Sequence, residues 1–350
     1  MKRFAPGAPW LCAALLGLST FPGCRCTEPE PATAPDAPAV ASEPPAASKP
    51  SAAPVQAAPE RFRFSAPERL VAIGDLHADW EGTVRAFRLA GAIDESGRWS
   101  GGALAVVQTG DQLDRGPDGR KILDFLAELG VEAERAGGAL HTLNGNHETM
   151  NVAADFRYVT PQGFASFSDL APADDAFSEL PAAWRGRAAA FAPGGPYATK
   201  LSERRAIVML GDTVFVHGGV LPEHVDRGVD AINDEIARWM RGERGAPPAS
   251  VTSESSPVWN RAYGAPEVSA DACAVLQTTL SRLGARRMVV GHTVQRAGVT
   301  SACDDKVFRI DVGIAKYYGQ RVEVLELRGD AVRILREAAA AVPAASSAHP

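Results

Sequence analysis

Leu70-Val71-Ala72-Ile73-Gly74-Asp75-Leu76-His77 is the stretch whose reading decides the fold. Four apolar residues followed by glycine and polar side chains read as a short strand buried on both faces, ending in a tight loop. The pattern recurs. Ala103 to Val107 leads into Gly110-Asp111-Gln112-Leu113-Asp114-Arg115-Gly116, and Ala139 to Leu143 leads into Gly145-Asn146-His147-Glu148. Ala206 to Leu210 and Val214 to Val216 read as a hairpin running into His217-Gly218-Gly219, and Met288-Val289-Val290 ends in Gly291-His292-Thr293. Trp80 to Ala90 and Ile122 to Gly130 carry apolar residues at helical spacing. Phe308 to Ile310 and a hairpin of Arg321 to Leu327 with Ala331 to Leu335 add strands at the end. Strand–helix alternation early and mostly strand later predict an α/β fold, a sandwich of two packed sheets flanked by helices.

Loops at the carboxyl ends of several strands converge on one edge of a sheet, the usual place for an active site in such folds. Asp75, His77, Asp111, Asn146, His217 and His292 offer mixed oxygen and imidazole ligands, which suit Mn, Fe or Zn better than Ca or Mg. A carboxylate shared by two divalent ions holds them about 3.5–4 Å apart, and a hydroxide bridging them attacks phosphorus in line. His147 and Arg115 are left over. His147 adjoins a ligand and is placed to protonate a leaving oxygen, Asp114 to hold that imidazole, and Arg115 to grip two phosphoryl oxygens. A lone Gly-Asp is more often a turn, as we read Gly211-Asp212 and Gly329-Asp330. Four of the 7 histidines fall inside the clusters, whereas His141, His224 and His349 do not and receive no role.

The ordered set Gly-Asp-x-His, Gly-Asp-x-x-Asp-Arg-Gly, Gly-Asn-His-Glu, His-Gly-Gly and a late Gly-His resembles the phosphoprotein phosphatase family of calcineurin-like metallophosphoesterases. Gly145 to Asn151, Phe156-Arg157-Tyr158-Val159 and Arg309-Ile310-Asp311-Val312-Gly313 resemble its Shewanella-like branch. The resemblance implies a β-sandwich of two mixed sheets flanked by helices. It implies Asp75 and His77 on a first metal, Asp111 as the bridge, and Asn146, His217 and His292 on a second. It also implies Arg115 and Asn146 at the phosphate, His147 as general acid and Asp114 as its partner. Arg261, in Val258-Trp259-Asn260-Arg261, is the candidate second phosphate-binding arginine. The implied activity is hydrolysis of phosphoserine, phosphothreonine or phosphotyrosine esters with two divalent ions, Mn first and Fe or Zn as substitutes. The Ser-Ala-Pro-Asn-Tyr-Cys loop of the toxin-sensitive enzymes is absent, which implies poor binding of microcystin-type inhibitors. Ala78 departs from the family's glycine; a positive φ there would cost about 1 kcal/mol. Glu148 is expected to brace its loop and Trp259 to fill the core. Two other readings compete. A dinucleoside polyphosphate hydrolase generally has Asn for Asp114 and Asp for Glu148, and a non-catalytic binding lipoprotein would not need His147.

A net charge of -6 argues against nucleic acid as the main partner. The expected partners are a phosphorylated protein or a small phosphomonoester, bound by a monomer. Lys2 and Arg3, then the short apolar run Trp10 to Leu18, read as an export signal over residues 1–26. Cys24 resembles a bacterial lipobox cysteine, which would attach a periplasmic chain to the membrane. Residues 27–60 form a Pro/Ala-rich tether, 61–337 the phosphoesterase domain and 338–350 a tail. Cys273 and Cys303 admit two readings, a disulfide or two buried thiols, with Cys273 on a helix as packing.

Overall fold

The computed structural model describes residues 60–337. The export signal, Cys24, most of the tether and the tail lie outside the described residues. Among the described residues no helix is long and apolar enough to cross a membrane.

The strands are β1 (Arg63–Phe64), β2 (Leu70–Ile73), β3 (Ala105–Gln108), β4 (Ala139–Thr142), β5 (Ile207–Leu210) and β6 (Thr213–Val216). They continue with β7 (Arg287–Val290), β8 (Thr300–Ala302), β9 (Val307–Arg309), β10 (Glu323–Arg328) and β11 (Ala331–Arg336). One sheet has the order β11-β10-β2-β3-β4 and the other β1-β5-β6-β7-β9-β8. Both are mixed. β2, β3 and β4 run parallel, β10 pairs antiparallel with β2, and β11 pairs antiparallel with β10 at the edge. In the second sheet β6, β7 and β9 run parallel, while β5 and β8 turn back against their neighbours.

Side-chain alternation explains the layering. Val208, Leu210, Phe215, Val289 and Phe308 point into one cluster with Leu70–Ile73, Ala105–Val107, Val324 and Leu325, which joins the two sheets. Ile207, Met209, Val214, Val216, Met288 and Val290 face the other way, onto helices Val229–Met240 and Ala270–Leu283. Helices Trp80–Leu89 and Gly119–Arg135 cover the opposite side of the first sheet through Ala86, Phe87, Ile122, Leu126 and Leu129.

Two strands have no counterpart in the sequence reading. β1 is two residues long, and β8 is a half-exposed Thr-Ser-Ala edge; neither carries an apolar run. The region 160–199, unread in the sequence, folds as helices Pro161–Ala165, Ala182–Phe191 and Pro196–Ser202. It carries its own small core of Phe156, Phe164 and Ala188, with Trp184 stacked on Phe164 at 4.8 Å. Cys273 is not simply packing: it is bonded to Cys303, Cα to Cα 5.3 Å, tying helix Ala270–Leu283 to the β8–β9 turn.

Candidate active site

Register places the clusters. Ile73, Gln108 and Thr142 lie level across the first sheet, and Val216, Val290 and Arg309 across the second. The loops that follow therefore leave at the same height, at the carboxyl ends of parallel strands. All six candidate ligands meet there, together with His147, Asp114 and Arg115.

Asp111 is at the centre. Its Oδ2 lies 3.3 Å from His217 Nε2 and 3.8 Å from both His77 Nε2 and His147 Nε2. His217 Nε2 is 2.9 Å from Asn146 Oδ1 and 3.1 Å from His292 Nδ1. Asp75 Oδ2 is 3.9 Å from His77 Nε2 and accepts from the His292 backbone N–H at 3.1 Å. His217 Nδ1 lies 2.9 Å from the Thr109 carbonyl; an N–H donated there leaves Nε2 as the lone-pair face. Two donor groups can each hold a cation, His77–Asp111–His147 and Asp111–His217–His292, and they share Asp111. His147 thus falls within ligand reach although the sequence reading set it aside as an acid.

Electrostatics make the same demand. Asp75, Asp111 and Asp311 are each at most 2% exposed. Among the described residues their only cationic-type neighbours within ion-pair distance are histidines. Burial first, then the charges of Asp311 and Asp111, push Asp75 well above the usual carboxylate range. Burial lifts Asp311 to about 6. Burial also opposes ionisation of Asp111, but His217 and His147 outweigh it and hold that carboxyl well down. Burial, then neighbouring imidazole, lowers His77 to about 3 and His292 to about 2. Neutral imidazoles beside buried carboxylates with no protein cation fit divalent metal ions.

His147 has a different setting. Its Nδ1 is 2.7 Å from Asp114 Oδ2. Asp114 also accepts from Asn151 Nδ2 at 3.1 Å and from Arg187 Nη2 at 2.9 Å. Arg187 is 1% exposed and further donates to Asn151 Oδ1 at 2.7 Å and the Gly163 carbonyl at 3.0 Å. Burial lowers this guanidinium to about 10, still cationic near neutrality. Burial would lower His147 as well, but Asp111 and then Asp114 reverse it, so its pKa is raised. The sequence reading missed both Asn151 and Arg187. Asn151 stands four residues after His147 on helix Asn146–Val152, a spacing that could have found it; Arg187 had no such signal.

Arg115 is stacked between two rings, 3.8 Å from Tyr158 and 4.8 Å from Tyr317. It borders a groove of about 470 Å³ lined by His77, Trp80, Asp118, Lys316 and Tyr317. Arg261 Nη1 donates to the His292 carbonyl at 2.9 Å and to Thr293 Oγ1 at 2.8 Å, which puts it beside the candidate ligand His292. Trp259 is half-buried against His292, ring to ring 5.8 Å, with its N–H on the Val251 carbonyl at 2.9 Å.

The loops carrying these groups are strained. His77, Ala78, Asp111, Asp114, Arg115 and His292 all have positive φ, between 45° and 67°. Each costs about 1–3 kcal/mol, and each fully buried aliphatic side chain of β2 and β3 contributes about 1.5–3 kcal/mol, so one offsets roughly one. Ala78, φ 54°, has the left-handed conformation its position in the family pattern suggested. Backbone bonds from Leu76 and His77 to the Asp111 carbonyl, 3.0 and 2.9 Å, lock two loops together. Glu148 is the brace expected of it, accepting from the backbone N–H of Gly145, Asp111 and Gln112 at 2.8–2.9 Å. Gly145 is needed because a Cβ there would collide with the Asp111 carboxylate.

This fold and this site define a class. The chain belongs to the calcineurin-like phosphoesterase family, whose model matches residues 68–296. Within it the chain groups with the Shewanella-like protein phosphatases. It is 43% identical to Shewanella-like protein phosphatase 2 of Arabidopsis thaliana over 78% of each chain. It is 28% identical to Shewanella-like protein phosphatase 1 of Plasmodium berghei, over 72% of this chain and 69% of that one. Among solved structures, the cold-active protein-tyrosine phosphatase of a psychrophilic Shewanella species superposes with a TM-score of 0.64 at 24% identity. That match covers 79% of this chain and 82% of the other, and it supports the fold.

Proposed function

We propose that the chain is a metal-dependent protein phosphatase that hydrolyses phosphomonoesters of serine, threonine or tyrosine. The observation that carries this is the His147–Asp114 pair, 2.7 Å apart, set beside a cation-demanding cluster that shares Asp111. Asp75, His77 and Asp111 would hold one ion, and Asp111, Asn146, His217 and His292 the other. Divalent ions held by these residues would supply charge to polarise the phosphoryl oxygens and to make water nucleophilic near neutral pH. Manganese is our choice for both, since the donors mix oxygen and nitrogen.

The chain's own groups do the rest. Arg115, held flat by Tyr158 and Tyr317, presents its fork to two phosphoryl oxygens, and Arg261 does so from beside His292. Asp114 accepts a hydrogen bond from His147 Nδ1–H, which leaves the Nε2–H of the imidazolium facing the pocket to protonate the departing oxygen. Asn151 and Arg187 fix Asp114 in that orientation. The leaving group lies in the groove beside Trp80 and Tyr317.

The test is a panel of phosphoserine, phosphothreonine and phosphotyrosine peptides beside a dinucleoside tetraphosphate, assayed in Mn²⁺. Phosphate release from at least one peptide is expected. Two bound metals with no release from any peptide would overturn the reading.

We further propose that the chain is exported and anchored through lipid on Cys24. The Cys273–Cys303 bond supports an oxidising compartment. Palmitate label should enter the wild type and not Cys24→Ser; equal labelling would end this proposal.

A further inference from the structure

Asp311 is the one buried carboxylate at the site to which the reading above gives no work. It follows β9 in Arg309-Ile310-Asp311-Val312-Gly313 and is 1% exposed. Its Oδ1 accepts from the Gly313 backbone N–H at 3.1 Å. Its Oδ2 is buried and has no hydrogen-bond partner. A buried polar atom is nearly always satisfied, and a carboxylate oxygen left bare is among the most unfavourable exceptions. The residue is also rigidly placed. Its carbonyl accepts from Gln295 N–H at 2.7 Å, and Gly74 lies so close that a Cβ there would strike the Ile310 carbonyl and approach Asp311 Cα. Asp75 is the residue directly after that glycine. The charge of Asp311 bears directly on the Asp75 carboxyl.

Two explanations suit a bare oxygen here. A proton shared with Asp75 would satisfy it without metal, and a cation would satisfy both carboxylates at once. Three buried carboxylates, Asp75, Asp111 and Asp311, with no lysine or arginine within ion-pair distance of them among the described residues, favour the cation. We propose that Asp311 is a further ligand of the ion held by Asp75, His77 and Asp111, binding it through the otherwise unpartnered Oδ2.

This rests on the two-metal reading, so the experiment separates the two. The full chain, stripped and titrated with Mn²⁺, is read by calorimetry and by metal analysis after dialysis, with no activity assay. Asp75→Asn serves as the benchmark. In Asp311→Asn one of two sites should weaken at least tenfold while the other keeps its affinity. Metal-free Asp311→Asn should melt no lower than metal-free wild type, because an uncompensated buried charge has gone while Asn Oδ1 still serves Gly313. Asp311→Glu keeps the charge and guards against a folding failure of the first variant; it should alter the affinity of one site only. Wild-type affinity at both sites in Asp311→Asn, or in Asp311→Glu should the first not fold, overturns the proposal while Asp75→Asn still loses a metal. No metal loss in Asp75→Asn either would overturn the two-metal reading itself.

Discussion

Asp114 and Asp311 lie on two sides of the same pocket and are equally buried, yet they are satisfied in opposite ways. Asp114 is wrapped by the region after Thr160, which supplies the Arg187 guanidinium and the Gly163 carbonyl behind it; helix Asn146–Val152 adds Asn151. Asp311, at the junction of the two sheets, has one backbone N–H and a bare oxygen. One side brings its own cation and can build a proton-transfer group. The other leaves negative charge without a counter-charge and so requires one from solution. The same pocket thus separates proton chemistry from metal chemistry by where the chain places a single arginine.

Removing the outside cation tests the second side most severely. Exhaustive chelation should abolish phosphatase activity and lower the melting temperature, with both restored by Mn²⁺; activity that survives metal depletion would break the contrast. His147→Asn tests the other side. Turnover should fall by about 10²–10⁴ while metal content, by elemental analysis, stays at the wild-type value. Loss of a metal equivalent instead would make His147 a ligand, as its reach to Asp111 allows.

Arg187→Met removes the internal cation and leaves Asp114 buried beside a neutral side chain. Chemical denaturation should show a loss of about 3–5 kcal/mol, and adding Asp114→Asn should recover part of it. If Arg187→Met were as stable as wild type, the pairing would carry no weight. A smaller effect is a shift in pH dependence. The His147 pKa is raised, so the imidazole stays protonated above the usual histidine value, and turnover falls as pH rises through the raised pKa. Asp114→Asn should move that alkaline limb to lower pH in the kcat profile. Least of all, Ala78→Gly should change stability by no more than about 1 kcal/mol, because relief of a positive φ is set against the loss of a buried methyl.

Much of this was legible in the residues. Apolar runs leading to glycine and then an acid or a histidine marked β2, β3 and β7 and the loops beyond them, since a strand buried on both faces leaves an apolar signature. The bracing role of Glu148 followed from local motif, and the family's glycine at position 78 raised the question of a positive φ that the structure answers. What stayed hidden had no local signature. Arg187 sits on a short helix that is half alanine, 73 residues from the carboxylate it binds. Asp311 was visible within its motif, but an unpartnered oxygen is a property of surroundings and not of a string. The two cysteines, 30 residues apart, were compatible with either state until their backbones were placed.

The sequence by itself determined the inventory: the candidate ligands, the candidate acid and the candidate phosphate-gripping arginine, and their order at strand ends. Those follow from side-chain chemistry and from turns that involve only a few adjacent residues. Only the tertiary structure decided which buried charge is compensated from within and which is left for a metal. That choice depends on desolvation and on counter-charges from remote segments, and both come into being only when the sheets and the inserted helices pack.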